Sequence, residues 1–151
     1  MKMFDDFYLN IKRINSKAII PNQSGDTGNA GFDIYSVEDI TLRPGEDKLF
    51  PSGWCCEFPE GYVMIIKDKS GRRWKGKLQT GAGVIDSNYR DEVRVVIRNI
   101  GDSPVTIKAG EKIAQFVIIP VWNGQPNEVR ELNMDNDRGG GFGSSGLTNK
   151  N

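Results

Sequence analysis

The sequence predicts an all-β fold, a jelly-roll-like sandwich or barrel, and two observations carry that expectation. Turn signals punctuate the chain at Asn22-Gln23-Ser24-Gly25, Pro44-Gly45, Pro59-Glu60-Gly61, Ser70-Gly71, Gly101-Asp102 and Ala109-Gly110. Between them lie short runs of β-favouring residues, such as Tyr62 to Ile66, Val93 to Ile97 and Ile113 to Val121. No segment sustains the apolar stripe of a long amphipathic helix. Many short strands separated by Gly and Pro turns close most readily into a sandwich or jelly roll.

The runs differ in what they expect of their faces. AGFDIYS (Ala30 to Ser36) sets one carboxylate, Asp33, in an otherwise apolar strand. In VRVVIRN, Val93, Val95 and Ile97 share one face while Arg94, Val96 and Arg98 share the other, which is a period of two with Val96 as its apolar exception. IAQFVIIPV is apolar except for Gln115. It fits a strand buried on both faces, or one with a face in the core and the other against a partner subunit. From about Met134 the composition turns to NDRGGGFGSSGLTNKN, which cannot build a core. Residues 1–133 are therefore expected to form one β domain and residues 134–151 a tail that is mobile without ligand.

Composition narrows the chemistry. The 151 residues carry 20 Lys plus Arg and 20 Asp plus Glu, a formal charge of zero. Such a chain offers no broad nucleic-acid or membrane surface. No apolar run reaches the roughly 20 residues of a membrane span. The opening MKMFDDFYLN lacks the apolar core of a secretory signal, so bacterial or host cytosol is the expected location. Cys55 and Cys56 are the only cysteines; adjacent strand residues face opposite ways, so two reduced thiols, one of them buried, are expected. There is no histidine. Ser-His-Asp and Cys-His triads, His-ligated zinc and an imidazole base are thereby excluded. Any proton transfer falls to Asp, Glu, Lys or Tyr, and a carboxylate that activates water beside a hard cation satisfies the restriction.

Five segments hold candidate chemistry. Asp33 is the first; alone it could simply cap its own backbone. DKSGRRWKGK (Asp68 to Lys77) joins a Ser-Gly turn to five basic residues, six with Lys67 just before it, a set suited to phosphate, although a solvated basic hairpin would look the same. GAGVIDSNYRDE (Gly81 to Glu92) lets small residues bring backbone close to a planar ligand, then presents Asp86 and, three residues on, Tyr89. A hairpin there could grip a base through main-chain groups with the Tyr ring against the sugar. Gln115, inside an apolar strand, must bond a neighbour or a ligand. Last, DRGGGFGSSG (Asp137 to Gly146) has the composition of a phosphate-cradling loop without P-loop spacing, and holds a single aromatic, Phe142.

In this order and spacing the five segments resemble the five motifs of the trimeric dUTPase family, over nearly the whole chain from IKRINSKAIIP to GFGSSG. The resemblance implies a jelly-roll subunit in a homotrimer, with sites at the subunit interfaces and a C-terminal tail that closes over a neighbour's nucleotide. It implies hydrolysis of dUTP to dUMP and pyrophosphate with Mg2+ as cofactor. By matching position, Asp86 is the carboxylate that activates water, and Tyr89 the ring on deoxyribose. Gly83, Val84, Ile85 and the backbone at Arg94 would read uracil, which Phe142 would cover. Lys69, Ser70, Gly71 and Gln115 match phosphate positions; Arg138, Gly143, Ser144 and Ser145 would meet the γ-phosphate. Asp33 matches a residue that holds a magnesium-bound water. No membrane or nucleic-acid partner is expected.

Departures from the family pattern are visible too. Lys69 stands where the family usually has Arg, which keeps the charge but loses the planar fork. Asp91 replaces the usual Gly, and the tail motif is one residue short between Arg138 and Phe142. Trp74 finds no role in the resemblance. Two rival readings share the fold. dCTP deaminases use a Glu base on the strand after the hairpin, where this chain has Val96. A non-catalytic binding trimer would need no Asp86 or Tyr89, yet both are present; a dual role, in which the enzyme also binds a partner protein, stays open, and the sequence carries no signal for such a partner. An RNA-binding tail would repeat Arg-Gly, which occurs here once after residue 133.

Overall fold

The computed structural model describes residues 7–23, 25, 28–137 and 139–140. Eleven strands and one short helix follow in order: β1 Asn10–Arg13, β2 Phe32–Tyr35, β3 Ile40–Leu42, β4 Asp47–Pro51, β5 Trp54–Glu57, β6 Tyr62–Lys67, α1 Ser70–Trp74, β7 Leu78–Gly81, β8 Val84–Asp86, β9 Arg94–Asn99, β10 Val105–Ile107 and β11 Lys112–Pro120. A four-stranded sheet (β2-β11-β6-β8) and a three-stranded sheet (β4-β9-β7) are joined by the pairs β1-β5 and β3-β10. All pairings are antiparallel. No described helix is long and apolar enough to cross a membrane.

The alternation in the sequence fixes what goes inside. Val93, Val95 and Ile97 are fully buried, while Arg94 and Arg98 are exposed and Val96 is half-buried. They meet Phe50, Trp54, Met64, Ile66 and Phe116 in one continuous core. Phe116 stacks on Phe32 at 5.2 Å between ring centroids and lies tilted against Trp54 at 6.1 Å. Removing that ring leaves a void that close-packed neighbours fill only in part. Phe116→Ala is expected to destabilise the fold by about 3–5 kcal/mol, read as a lowered urea midpoint.

The adjacent cysteines alternate as expected, Cys56 buried and Cys55 half-exposed, and both are free. Burial pushes the Cys56 thiol up to about 11. It therefore stays protonated, and unreactive as a nucleophile, at neutral pH. Because the folded state resists its ionisation, this thiol favours folding below the ordinary thiol range, and that contribution fades as pH rises toward 11.

Two local expectations are corrected. The basic segment forms no hairpin: Ser70 to Trp74 winds into one turn of helix, with the Arg73 N–H donating to Lys69 O and Lys75 N–H to Gly71 O. Nor does the Gly81 to Glu92 segment begin as a hairpin. β7 pairs with β9 in one sheet and β8 with β6 in the other, so the chain crosses between sheets at Ala82-Gly83. Both residues sit at positive φ, 53° and 98°. A Cβ on Gly83 would lie 3.0 Å from the Ile66 carbonyl oxygen, so this crossing needs glycine for space as well as conformation.

Beyond Pro120 the described chain leaves the body of the domain. Val121 N–H still donates to Gly61 O, but every described residue from Ile119 onward is exposed, including Trp122, Val129, Leu132 and Met134. The outward arm thus starts before the composition shift at Met134.

Candidate active site

The outer face of the four-stranded sheet carries the candidate residues in rows. Register places Asp33, Gln115 and Lys67 side by side across β2, β11 and β6. The next outward row is Val117, Ile65 and Val84, and the one after it Ile119, Val63 and Asp86. A lysine-rich end, an apolar middle and an acid end therefore share one surface. Val84, in the middle row, is 65% exposed and Ile119, in the row of Asp86, is 44% exposed, so an apolar stripe lies uncovered between the two ends.

At the lysine-rich end Asp33 is buried, and its two oxygens face ammonium groups: Lys69 Nζ at 2.5 Å and Lys112 Nζ at 2.6 Å. A carboxylate so far from water is stable as an ion only when it is paired in this way. In return its hydrogen bond and charge hold the Lys112 ammonium above the usual lysine range. Gln115 donates through Nε2 to Asp68 O at 2.9 Å, which meets the sequence expectation that it must bond something. Its other amide atom lies over Gly31, where a Cβ would come within 2.5 Å of Oε1. Asp68 in turn accepts from Thr80 N–H at 2.6 Å and Thr80 Oγ1–H at 2.7 Å, tying α1 to β7. Asn29, Gly31, Asp33, Lys67, Lys69 and Gln115 line a pocket of about 420 Å³. Ser70 and Gly71 open the helix beside it.

At the acid end, Asp86 closes β8 and is exposed. Its carbonyl accepts from Tyr89 N–H at 3.1 Å, a tight turn that Arg90 braces by donating to Ser87 O at 2.6 Å and Tyr89 O at 3.1 Å. The Tyr89 hydroxyl donates to Glu92 O at 3.0 Å. A groove of about 680 Å³ runs past Asp86, lined also by Tyr8, Glu60, Tyr62, Asn88 and Asn123. β8 is the outer strand of its sheet, so one row of backbone groups at Val84 and Ile85 faces away from β6.

Asp86 and the lysine-rich cluster do not meet within one chain. Asp86 pairs with Val63 and Gln115 with Lys67, four residues apart along β6. That is roughly 13 Å along the strand before the sideways offset is counted. Arg94 lies on β9 in the other sheet and is exposed. Arg138, Phe142, Gly143, Ser144 and Ser145 lie outside the described residues.

Comparison with known proteins decides the family. The dUTPase family profile matches residues 16–146. This chain belongs to the dUTPase family. With it the chain joins the deoxyuridine 5′-triphosphate nucleotidohydrolases, a class of enzymes. A relative of that description from Nautilia profundicola is 42% identical over 141 residues, 91% of this chain and 98% of the relative. Another, from Clostridioides difficile, is 37% identical over 93% of this chain and 99% of its own. Among solved structures, the dUTPase of Staphylococcus bacteriophage 80alpha with dUPNHPP superposes with a TM-score of 0.87 at 29% identity, covering 93% of this chain and 99% of that one. A mutant dUTPase of the S. aureus phage phi11, described for coordination of a structural Mg(II) ion, superposes with a TM-score of 0.78 at 25% identity and covers 83% and 98%. The jelly-roll-like all-β fold is thus the dUTPase fold.

Sequence reasoning missed three participants in the site. Lys67 and Lys112 join Asp33 only through strand register, and Asp68 only through its bonds to Thr80 and Gln115. Lys67 could have been found by alternation, since it faces the same way as Ile65 and Val63.

Proposed function

We propose that this enzyme hydrolyses dUTP to dUMP and pyrophosphate at sites assembled between copies of itself in a homotrimer. One observation carries the shared site: Asp86 and the Asp33-Gln115-Lys67 row stand at opposite ends of one sheet face, with an uncovered apolar stripe between them. A second copy laid on that stripe would bury it, and would bring one chain's acid to another chain's anion-binding cluster.

In this reading the backbone of Gly83, Val84 and Ile85 on the outward edge of β8, with the backbone at Arg94, reads uracil. Tyr89 packs on deoxyribose and leaves no room for a ribose hydroxyl. Lys69, Ser70, Gly71 and Gln115 take the phosphates. Asp86 draws a proton from a water; the water oxygen bonds to the α-phosphorus as the bond to the bridging oxygen breaks, and pyrophosphate leaves. Arg138, Gly143, Ser144 and Ser145 meet the γ-phosphate and Phe142 covers the base, which expels bulk water.

Mg2+ fits this site as an ion carried by the triphosphate. Among the described residues no three His, Cys, Asp or Glu side chains converge to cage a metal, and Asp33 offers a single carboxylate between two lysines. A hard cation that keeps phosphate oxygens and waters needs no more, and Asp33 would hold one of those waters. When bound, the ion supplies neutralising charge on the triphosphate.

The testing experiment is pyrophosphate release from dUTP, dTTP, dCTP and UTP, with and without Mg2+. Release from dUTP alone, dependent on the metal, is expected. Equal release from all four, or none, would contradict the reading. Lys69→Met should lower kcat/KM for dUTP by about ten- to a hundredfold in the same assay, through loss of a phosphate-facing charge. The deaminase alternative receives no support, since Val96 sits half-buried against Gly81 with no carboxylate nearby on its strand.

A further inference from the structure

The turn that carries Asp86 and Tyr89 is held together mostly from within. Its internal bonds run from Tyr89 N–H to Asp86 O and from Arg90 to Ser87 O and Tyr89 O. Asn88, Arg90 and Asp91 are exposed, and the Arg90 pairing with Glu57 is a loose surface contact at 4.0 Å. Such contacts stiffen a turn without fixing where it sits on the protein.

The pairing of β8 with β6 fixes the Asp86 end of the turn, and Glu92 fixes the other end. Its Oε1 accepts the Gly53 N–H at 2.8 Å, and the next residue, Val93, donates its N–H to Trp54 O at 3.0 Å. The 52–54 turn that receives both is buried. Gly53 has a φ of 76°, and a Cβ there would strike Ala18, Asn15 and Val37 at 2.8 to 2.9 Å, so the anchor has no room to drift. Gly53 O is itself held by the Ile14 and Asn15 N–H groups at 2.9 and 3.1 Å. The carbonyl of Glu92 is the acceptor for the Tyr89 hydroxyl. A line of contacts thus runs from the core through the Glu92 side chain to the far end of the Tyr89 ring.

We infer that Glu92 is a positioning residue for sugar selection: by pinning its own carbonyl to the buried Gly53 turn, it sets the height of the Tyr89 ring and so the space beside the sugar 2′ carbon. This rests on the reading of Tyr89 as the ring that faces deoxyribose. Exclusion of a hydroxyl depends on sub-ångström fit, because a loosened wall admits the larger sugar at little cost. Asp91, where the family usually carries Gly, adds nothing to hold the turn, since its side chain is exposed.

The test compares kcat/KM for dUTP and for UTP in the intact Mg2+-supplied enzyme and in Glu92→Ala, Glu92→Gln, Tyr89→Phe and the Glu92→Ala/Tyr89→Phe double variant. The dUTP preference should fall about tenfold in Glu92→Ala and in Tyr89→Phe, the scale of one hydrogen bond. It should stay near the parent value in Glu92→Gln, whose amide oxygen still accepts from Gly53. The double variant should be no less selective than Tyr89→Phe alone. If Glu92→Ala does not fold, Glu92→Asp, one methylene short of Gly53, should show the same loss. A preference unchanged in Glu92→Ala or Glu92→Asp, an equal loss for both nucleotides, or a Gln variant as unselective as Ala would overturn the role of Glu92 and leave the dUTP reading standing. A parent enzyme with no preference for dUTP over UTP would overturn both.

Discussion

Asp86→Asn is expected to keep the fold and nucleotide affinity while lowering pyrophosphate release by about a thousandfold, the middle of the range for loss of a general base. The side chain is exposed at the end of a strand and packs into no core, so the amide should cost little stability. The turn it opens is fastened by the Asp86 carbonyl and not its carboxylate, so the position of Tyr89 survives the change. What is lost is the only feature at stake, a group able to accept a proton from water. With no histidine in the chain, no imidazole can take over. Thermal unfolding, dUTP binding by calorimetry and pyrophosphate release from one preparation separate these effects. Full turnover by the Asn variant would remove Asp86 from the mechanism.

Deleting residues 138–151 should reduce kcat/KM by about a hundredfold or more and leave the assembly intact. Among the described residues the core is complete by β11, and every one beyond Ile118 is exposed, so the domain is expected to fold without the deleted piece. The deleted piece carries Arg138, Phe142, Ser144 and Ser145, the groups proposed to neutralise the γ-phosphate and cover uracil. Loss of charge stabilisation and of water exclusion should therefore appear together, in kcat as well as KM. Sizing the truncated protein by light scattering beside the assay distinguishes a missing lid from loss of the proposed trimer. A truncated enzyme as active as its parent would dismiss the lid.

Much of this was legible in the sequence wherever one residue's burden could be read locally. The face of β9 follows from the alternation of Val93, Val95 and Ile97, and an amide such as Gln115 inside an apolar strand must find a partner. Reading failed where partnership is non-local. Gly81-Ala82-Gly83 between two short strands looks like a hairpin, because nothing in the sequence tells which strand each flank will pair with. The helix at Ser70–Trp74 spans too few residues for its period to show. The pairing of Asp33 with Lys69 and Lys112 is equally hidden, because register across β2 and β11 and the start of α1 bring the two lysines to it. Glu92 gave no signal at all, since its partner lies 39 residues away.

The five motifs drew their force from order and not from any single segment. Each alone admitted an ordinary structural explanation, and the fold explains why order mattered. The lysine-rich cluster around Asp33 and the acid Asp86 sit at separate ends of one sheet face, far apart along the chain, so no one segment displays both.

The measurement that bears most directly on this account is a crystal structure of the enzyme with Mg2+ and a non-hydrolysable dUTP analogue. Asp86 of one copy should stand within one water of the α-phosphorus, opposite the leaving oxygen, while Gln115 and Lys69 of another copy hold the same nucleotide's phosphates. An Asp86 carboxylate turned away from the α-phosphoryl group, or a nucleotide bound wholly by one chain, would contradict it.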